Sequence, residues 1–82
     1  IRHVAQRVAD RRRAGNDVVV TVSAMGDTTD DLLALAHRIS ARPHDRELDL
    51  LLSTGEVVSC TLLAMALREL GVAARSFTGA QA

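Results

Sequence analysis

The sequence predicts an α/β fold, in which helices pack against a parallel sheet. Apolar residues recur at helical spacing in three stretches of the chain, and two short apolar runs between and after them are typical of strands. The apolar content of 48% includes a single aromatic residue, Phe77, so we expect a core of Val, Leu and Ala. The predicted order is helix, strand, helix, helical pair, strand. A chain of 82 residues has room for one small domain at most.

The first predicted helix covers Ile1 to Ala14, with one apolar face and arginines on the other. Gly15 and Asn16 are predicted to stop it, because glycine tolerates the left-handed backbone common at helix ends. The three arginines at 11–13 are interpreted as a solvated last turn that complements the helix dipole rather than as a nucleic-acid patch. The apolar face is formed by Ile1, Val4, Ala5 and Val8.

The first predicted strand is the β-branched run Val18 to Val22, which is typical of a strand buried on both faces. A turn of small residues, Ser23 to Gly26, follows it. The second helix is predicted to open among the capping types at positions 28–31 and to run to about Ser40. In open α/β sheets ligands bind at the carboxyl ends of strands, and a helix N-terminus there favours an anion.

The third helical stretch begins at Arg46 and ends at Gly71. It is interpreted either as one long helix or as two helices hinged at Thr54 and Gly55, where Gly55 marks a bend or a close backbone approach. Val72 to Phe77 is predicted as the second strand, and residues 78–81 as the turn that leaves it. The two strands are expected to be parallel and joined by a right-handed crossover.

Bulk properties exclude several classes of function. The formal net charge is zero, so no global field favours nucleic acid or a membrane surface. No uninterrupted run of about 18 apolar residues predicts a membrane span. Cys60 is the only cysteine, which excludes an internal disulfide, suits a reducing cytoplasm and is expected to be a buried, inert thiol. The chain begins at Ile1 rather than Met, and we expect it to be part of a larger domain.

Three polar groups are candidates for a binding site at one end of the predicted sheet: Ser23 at the strand exit, Thr28 and Thr29 at the helix start, and Glu56. Glu56 follows a glycine beside an apolar helix, so its carboxylate is expected to face solvent, pair with an arginine or receive a cationic ligand group. For Thr29 the residues alone favour the interpretation as a helix cap. Acidic residues in the same turn could hold Mg²⁺, although dipole complementation is the favoured interpretation for Asp27, Asp30 and Asp31.

The usual catalytic signatures are absent from the sequence, including the P-loop, the dinucleotide-binding glycine motif and the zinc-protease motif. The ten basic residues are all arginine, so the window offers no lysine phosphate clamp. Residue types and spacing alone therefore predict an α/β domain with a small-ligand pocket at a strand end.

Three segments resemble the catalytic domain of the aspartate kinases, members of the amino acid kinase family: Val22 to Leu33, Arg46 to Glu56 and Arg75 to Ala82. With the joining residues Ala14 to Asp17 they cover most of the chain at consistent spacing. The resemblance implies a three-layer α/β/α sandwich, of which residues 1–82 would form part. It implies phosphoryl transfer from ATP, with Mg²⁺, to the β-carboxylate of L-aspartate. That reaction leads to lysine, threonine, methionine and diaminopimelate.

The resemblance also implies roles for residues of this chain. Thr29 and Glu56 match the family's contacts to aspartate, and Ser23 matches a serine lining the same pocket. A carboxylate suits the substrate's α-ammonium, while hydroxyl and N–H groups at a helix start suit its carboxylates. Phosphoryl transfer needs positioning and charge neutralisation, so no acid–base pair need be present. The family further implies assembly into oligomers. A cytoplasmic location is expected from the single cysteine and from the lack of a signal-peptide pattern or a long apolar run.

The resemblance is incomplete in ways that affect activity. The family's essential lysine would lie upstream of Ile1, so no catalytic residue is expected in this window, and these 82 residues alone are expected to be inactive. At residues 57–60 this chain is less polar than the family pattern. We expect the difference to alter a local ion pair, while the glutamate at position 56 is retained. Two other interpretations remain: another amino acid kinase, of the glutamate or acetylglutamate type, or a non-catalytic α/β ligand-binding module.

Overall fold

Three helices account for the regular structure in the computed structural model, which describes residues 1–77. They are α1 (Arg2–Arg13), α2 (Gly26–Ile39) and α3 (Asp45–Glu69). The turn predicted at residues 78–81 lies outside the described residues. The chain divides into two compact units: unit 1 is Ile1–Val22 with the described residues from Cys60 onward, and unit 2 is Ser23–Ser59. Helix α3 contributes residues to both units.

Glycines end α1 and α3, as the sequence predicts. Gly15 has a φ of 97° and Gly71 a φ of 79°, both in the left-handed region that a β-carbon disfavours. After each helix two backbone N–H groups turn back to carbonyls of the last turn, the Schellman arrangement. The bonds are Gly15 N to Arg12 O (3.0 Å), Asn16 N to Arg11 O (3.3 Å), Gly71 N to Arg68 O (3.0 Å) and Val72 N to Leu67 O (3.0 Å).

The core of unit 1 is small and aliphatic. Ala5 and Ala9 are fully buried, and Leu63 and Leu67 are each 6% exposed. Alanines one turn apart let another helix approach closely, which explains why Ala9 is buried although the predicted apolar face of α1 omits it. Ile1 and Val4, which that face includes, are exposed. Partly buried side chains complete the cluster: Val8, Val22, Ala66, Leu70, Val72 and Ala74.

Neither predicted strand forms as a strand within residues 1–77, and the prediction of a parallel pair is not met there. Segments 18–22 and 72–77 have no regular structure, because a strand is defined and stabilised by a hydrogen-bonded ladder to a neighbour. The prediction that Val18 to Val22 is buried on both faces is wrong, since Val19 is 95% exposed. Within this segment Val22 packs on the unit 1 core, whereas Val18 and Val20 are 37% and 38% exposed.

The third helical stretch is a single helix, so the predicted helical pair is wrong. Gly55 is buried inside α3, and the preceding hydroxyls bond back to carbonyls of the same helix: Ser53 Oγ to Leu50 O and Thr54 Oγ1 to Leu51 O, both at 2.6 Å. These bonds satisfy side chains that could otherwise compete for the backbone and open the helix. Of the two roles predicted for Gly55, the structure shows the close approach.

Helix α2 begins at Gly26, two residues before the predicted opening. Its N-cap is Met25, and no side chain caps the helix start. Thr28 and Thr29 therefore lie inside the first turns, so the interpretation of Thr29 as a cap is wrong. By contrast, the start of α3 has a side-chain acceptor: the Arg46 N–H donates to His44 Nδ1 at 3.2 Å.

Helix α3 is, within the described residues, the one helix long and apolar enough to cross a bilayer by length and composition. It has 25 residues. A stretch of 18 residues within it has a mean hydropathy of 1.8, and 22% of that stretch is buried. The sequence-based expectation of no span relied on uninterrupted apolar runs, which is a stricter test. Core helices of soluble proteins meet the looser criterion too, so composition alone does not indicate a membrane.

Candidate functional site

A tight backbone contact in unit 2 joins the middle of α3 to the start of α2. A β-carbon added to Gly55 would lie 2.9 Å from Ala24 Cβ, 3.3 Å from Thr28 Cγ2 and 3.7 Å from a methyl of Leu32. Ordinary contacts between carbon atoms are about 3.5–4.0 Å. The backbone of α3 thus approaches the turn before α2 at a distance that only glycine permits.

Each sequence-predicted binding residue is the chain neighbour of a residue in this contact. Ser23 precedes Ala24, Thr29 follows Thr28, and Glu56 follows Gly55. Ser23 lies in the irregular segment before α2, Thr29 in the second turn of α2, and Glu56 on α3. The structure therefore brings the three backbone segments together, and a site shared by the three side chains stays a prediction.

Glu56 is exposed, although its neighbour Gly55 is buried. Within residues 1–77 its carboxylate has no ion pair and no hydrogen bond to a side chain. Of the three environments that the sequence left open for it, the pairing with an arginine is therefore not formed in this part of the chain. An exposed carboxylate beside a packed helix can receive an ammonium group without first breaking a salt bridge.

The start of α2 offers backbone donors to the same region. The first intrahelical bond runs from Thr29 N to Met25 O at 3.1 Å, so the N–H groups of Gly26, Asp27 and Thr28 have no carbonyl within the helix. No side chain caps this end. Such N–H groups and the positive end of the helix dipole favour a carboxylate or phosphate.

Metal binding finds no support in the geometry of the acidic residues. Asp27, Asp30 and Asp31 are exposed on α2. In the described range, no three His, Cys, Asp or Glu side chains lie together as a group that could hold a metal ion. Asp27 lies in the first turn of α2, where a carboxylate complements the helix dipole, whereas Asp30 and Asp31 lie beyond that turn.

Sequence reasoning missed the packing role of two residues in this contact. Ala24 was placed in the turn of small residues and Thr28 was named beside Thr29 as a polar candidate, but neither was predicted to contact Gly55. Ser59 was missed as well: it is 5% exposed, and its Oγ has no hydrogen-bond partner within the described residues. The apolar periodicity of α3 carries no signal for a buried, unsatisfied hydroxyl.

Unit 1 has a cavity of its own, of about 260 Å³, that contains none of the predicted binding residues. Aliphatic side chains of α1, α3 and segments 18–22 and 72–77 together form most of its lining, and the charged groups interact with near neighbours. Arg12 pairs with Asp17 at 3.6 Å, and the Arg75 guanidinium lies 5.6 Å from the centre of the Phe77 ring. Cys60 is also in its lining and is half-buried rather than buried as expected, because this face of the core is uncovered.

Comparison with known proteins identifies relatives over the whole chain. The model of the amino acid kinase family matches residues 1–82. Aspartokinases of Mycolicibacterium smegmatis and Geobacillus stearothermophilus are each 61% identical over 82 residues, and that of Corynebacterium glutamicum is 56% identical. The match covers all of this chain and 20% of each relative, so the chain spans about a fifth of their length.

A solved structure agrees with these relatives. The chain superposes on aspartate kinase from Synechocystis with a TM-score of 0.78 and 54% sequence identity. The superposition covers 84% of this chain and 12% of that chain. At this identity the likeness extends beyond the general fold to the sequence of the matched segment.

Proposed function

The chain belongs to the amino acid kinase family, and on that premise we propose that it is the aspartate-binding segment of an aspartokinase. Its fold is the amino acid kinase fold by homology, and the proposed whole domain is the three-layer α/β/α sandwich of the family. The proposed reaction moves the γ-phosphoryl group of ATP to the β-carboxylate of L-aspartate. The products are 4-phospho-L-aspartate and ADP. This is a biosynthetic reaction that leads to lysine, threonine, methionine and diaminopimelate.

One observation of the structure supports the aspartate pocket above others: the contact of Gly55 with Ala24 and Thr28. It holds α3 against the start of α2, which supports the proposal that Glu56 and the N-terminus of α2 contribute to one site. A site for an amino acid must meet an ammonium and a carboxylate a few bonds apart. The proposed site offers a partner for each: the Glu56 carboxylate, which has no ion pair within residues 1–77, and the N–H groups at the start of α2.

The proposed roles follow from charge. Glu56 receives the α-ammonium of aspartate. The Thr29 hydroxyl and the N–H groups at the start of α2 bind a substrate carboxylate, and Ser23 lines the same pocket. Because phosphoryl transfer depends on positioning and on neutralising charge, these residues contribute orientation of the acceptor carboxylate.

ATP is the proposed phosphoryl donor and Mg²⁺ its proposed partner, but we assign neither to residues of this chain. The described residues contain no cluster suited to a metal, and the chain contains no lysine to hold phosphates. The chain is about a fifth of its relatives' length, and the nucleotide site is proposed to lie in the rest. Residence in the cytoplasm and assembly into an oligomer are proposals from the family likeness.

The test is Glu56→Ala in the full-length enzyme that carries this segment, assayed for aspartate-dependent ADP formation. A hydrogen bond to a charged group contributes about 1.5–3 kcal/mol, so the KM for aspartate should rise about tenfold to hundredfold. The KM for ATP should stay within about twofold, because Glu56 contacts only the acceptor in this proposal.

Glu47→Ala is the matched control. Glu47 is an exposed glutamate of the same helix, nine positions earlier. At 3.6 residues a turn, nine positions are about two and a half turns, which places it on the opposite face of α3. It should leave both KM values unchanged. An unchanged aspartate KM in Glu56→Ala would remove Glu56 from the pocket and contradict the assignment.

A panel of acceptors tests the two alternative functions in the same assay. N-acetylglutamate has no ammonium for Glu56 to bind, so turnover of that substrate in preference to aspartate would favour the acetylglutamate type of kinase. Preference for glutamate would favour the glutamate type. A full-length protein that uses no amino acid acceptor would favour the non-catalytic ligand-binding module.

A further inference from the structure

We infer that Gly55 is a positioning residue of the aspartate pocket, one that sets the distance between Glu56 and the start of α2. The inference rests on the proposed function and deepens it. Gly55 itself has no side chain to offer a substrate. It acts through the three-residue contact with Ala24 and Thr28, each member of which adjoins one proposed binding residue.

Conformational freedom does not explain the glycine at this position. Among the described glycines, those with positive φ are Gly15 and Gly71, whereas Gly55 lies within the regular backbone of α3. A glycine inside a helix costs about 1 kcal/mol relative to alanine. The local backbone would therefore favour alanine, and the reason for glycine must be sought in what surrounds it.

Space explains it. The nearest atom to an added β-carbon is Ala24 Cβ at 2.9 Å, and a β-carbon cannot rotate away as the end of a long side chain can. To reach the shortest ordinary carbon–carbon contact of about 3.5 Å, α3 and the turn before α2 must move apart by about 0.6 Å. Thr28 Cγ2 at 3.3 Å adds to the same displacement.

That displacement acts directly on the proposed pocket. Glu56 moves with α3, while Ser23 and Thr29 move with the turn and with α2. A misplacement of about 1 Å can lower the efficiency of a positioned reaction by about a hundredfold. In this proposal Gly55 sets the distance between the Glu56 carboxylate on α3 and the hydroxyl and N–H donors at the start of α2, so that one amino acid can contact both.

The experiment is a double-mutant cycle in the full-length enzyme. Gly55→Ala adds the methyl group, Ala24→Gly removes the one it would meet, and the double variant exchanges the two. Gly55→Ala should raise the aspartate KM about tenfold or more and leave the ATP KM within about twofold. The double variant should bring the aspartate KM most of the way back, because the shortest contact is relieved.

A loss of stability alone must be separated from a change of position. Gly71→Ala serves as the control, since it strains a left-handed backbone in unit 1 and touches none of the binding residues. It should lower the thermal midpoint and leave the aspartate KM unchanged. If Gly55→Ala behaves in the same way, the glycine is merely structural and the inference is overturned.

Two further outcomes decide the remaining cases. A wild-type aspartate KM in Gly55→Ala, with a raised KM in Glu56→Ala, overturns this inference and leaves the proposed function standing; wild-type values in both variants overturn both. If Gly55→Ala does not fold, Ala24→Val enlarges the same contact from the other side. It should then raise the aspartate KM, and a wild-type value would overturn the inference.

Discussion

The two units of this chain are packed by different means. Unit 1 buries aliphatic side chains, with Ala5, Ala9, Leu63 and Leu67 as its core. Unit 2 has no buried residue on α2, and the residues it buries on α3 are Gly55 and Ser59. Unit 1 has a core of packed apolar side chains. In unit 2 the backbone of α3 at Gly55 packs closely against Ala24 and Thr28.

The difference shows how a binding surface can be built on a thin core. Close backbone approach needs few atoms, so the side chains on either side of the contact stay exposed and polar. Glu56 is exposed for this reason, whereas the buried residues of unit 1 are the apolar side chains of its core. We therefore expect substitutions in unit 1 to change stability, and substitutions around Gly55 to change ligand binding.

Of the substitutions that test this contrast, Leu67→Ala should have the largest effect on stability. Leu67 is 6% exposed in the unit 1 core, and truncation of a buried leucine costs about 2–5 kcal/mol through lost burial and the cavity left behind. Native-state hydrogen exchange of the full-length enzyme should show that loss in the amides of α1 and the end of α3.

Leu50→Ala is the comparison for that variant, because Leu50 is also on α3 but is 66% exposed. Its effect should be within about 0.5 kcal/mol. If the two leucines cost the same, the buried cluster is not the source of stability in unit 1 and the contrast between the units fails.

Gly71→Ala should have the next largest effect. A residue with a β-carbon pays about 1–2 kcal/mol in the left-handed region, and the φ of Gly71 is 79°. Thermal unfolding should show a lower midpoint. Gly26→Ala sharpens the result, because Gly26 has no positive φ and nothing within 4 Å of an added β-carbon. It should be neutral or stabilise by up to about 1 kcal/mol.

The smallest effect is expected from Ser59→Ala in unit 2. Its buried Oγ has no partner within the described residues, so removing it removes an unsatisfied polar group. The free energy of unfolding should stay the same or rise by about 1 kcal/mol, as measured by thermal or denaturant unfolding. A loss of that size would instead show that the hydroxyl has a bonding partner, and that unit 2 also depends on a polar contact.

The sequence by itself determined the features that depend on near neighbours in the chain. Gly15 and Gly71 were predicted as helix ends because the left-handed backbone after a helix is a local requirement. The three helical stretches followed from apolar periodicity, and the resemblance to the aspartate kinases followed from motifs such as Val22 to Leu33. Ser23, Thr29 and Glu56 were named as candidates from residue type, turn position and that resemblance.

Only the tertiary structure decided which faces are covered and which backbones meet. The composition of Val18 to Val22 is typical of a segment buried on both faces, yet Val19 is 95% exposed. Within the described residues, nothing packs over the face on which Val19 lies. The contact of Gly55 with Ala24 joins positions 31 residues apart (55 − 24). Burial and close approach depend on such distant pairs, whereas periodicity and propensity report on a few neighbouring residues.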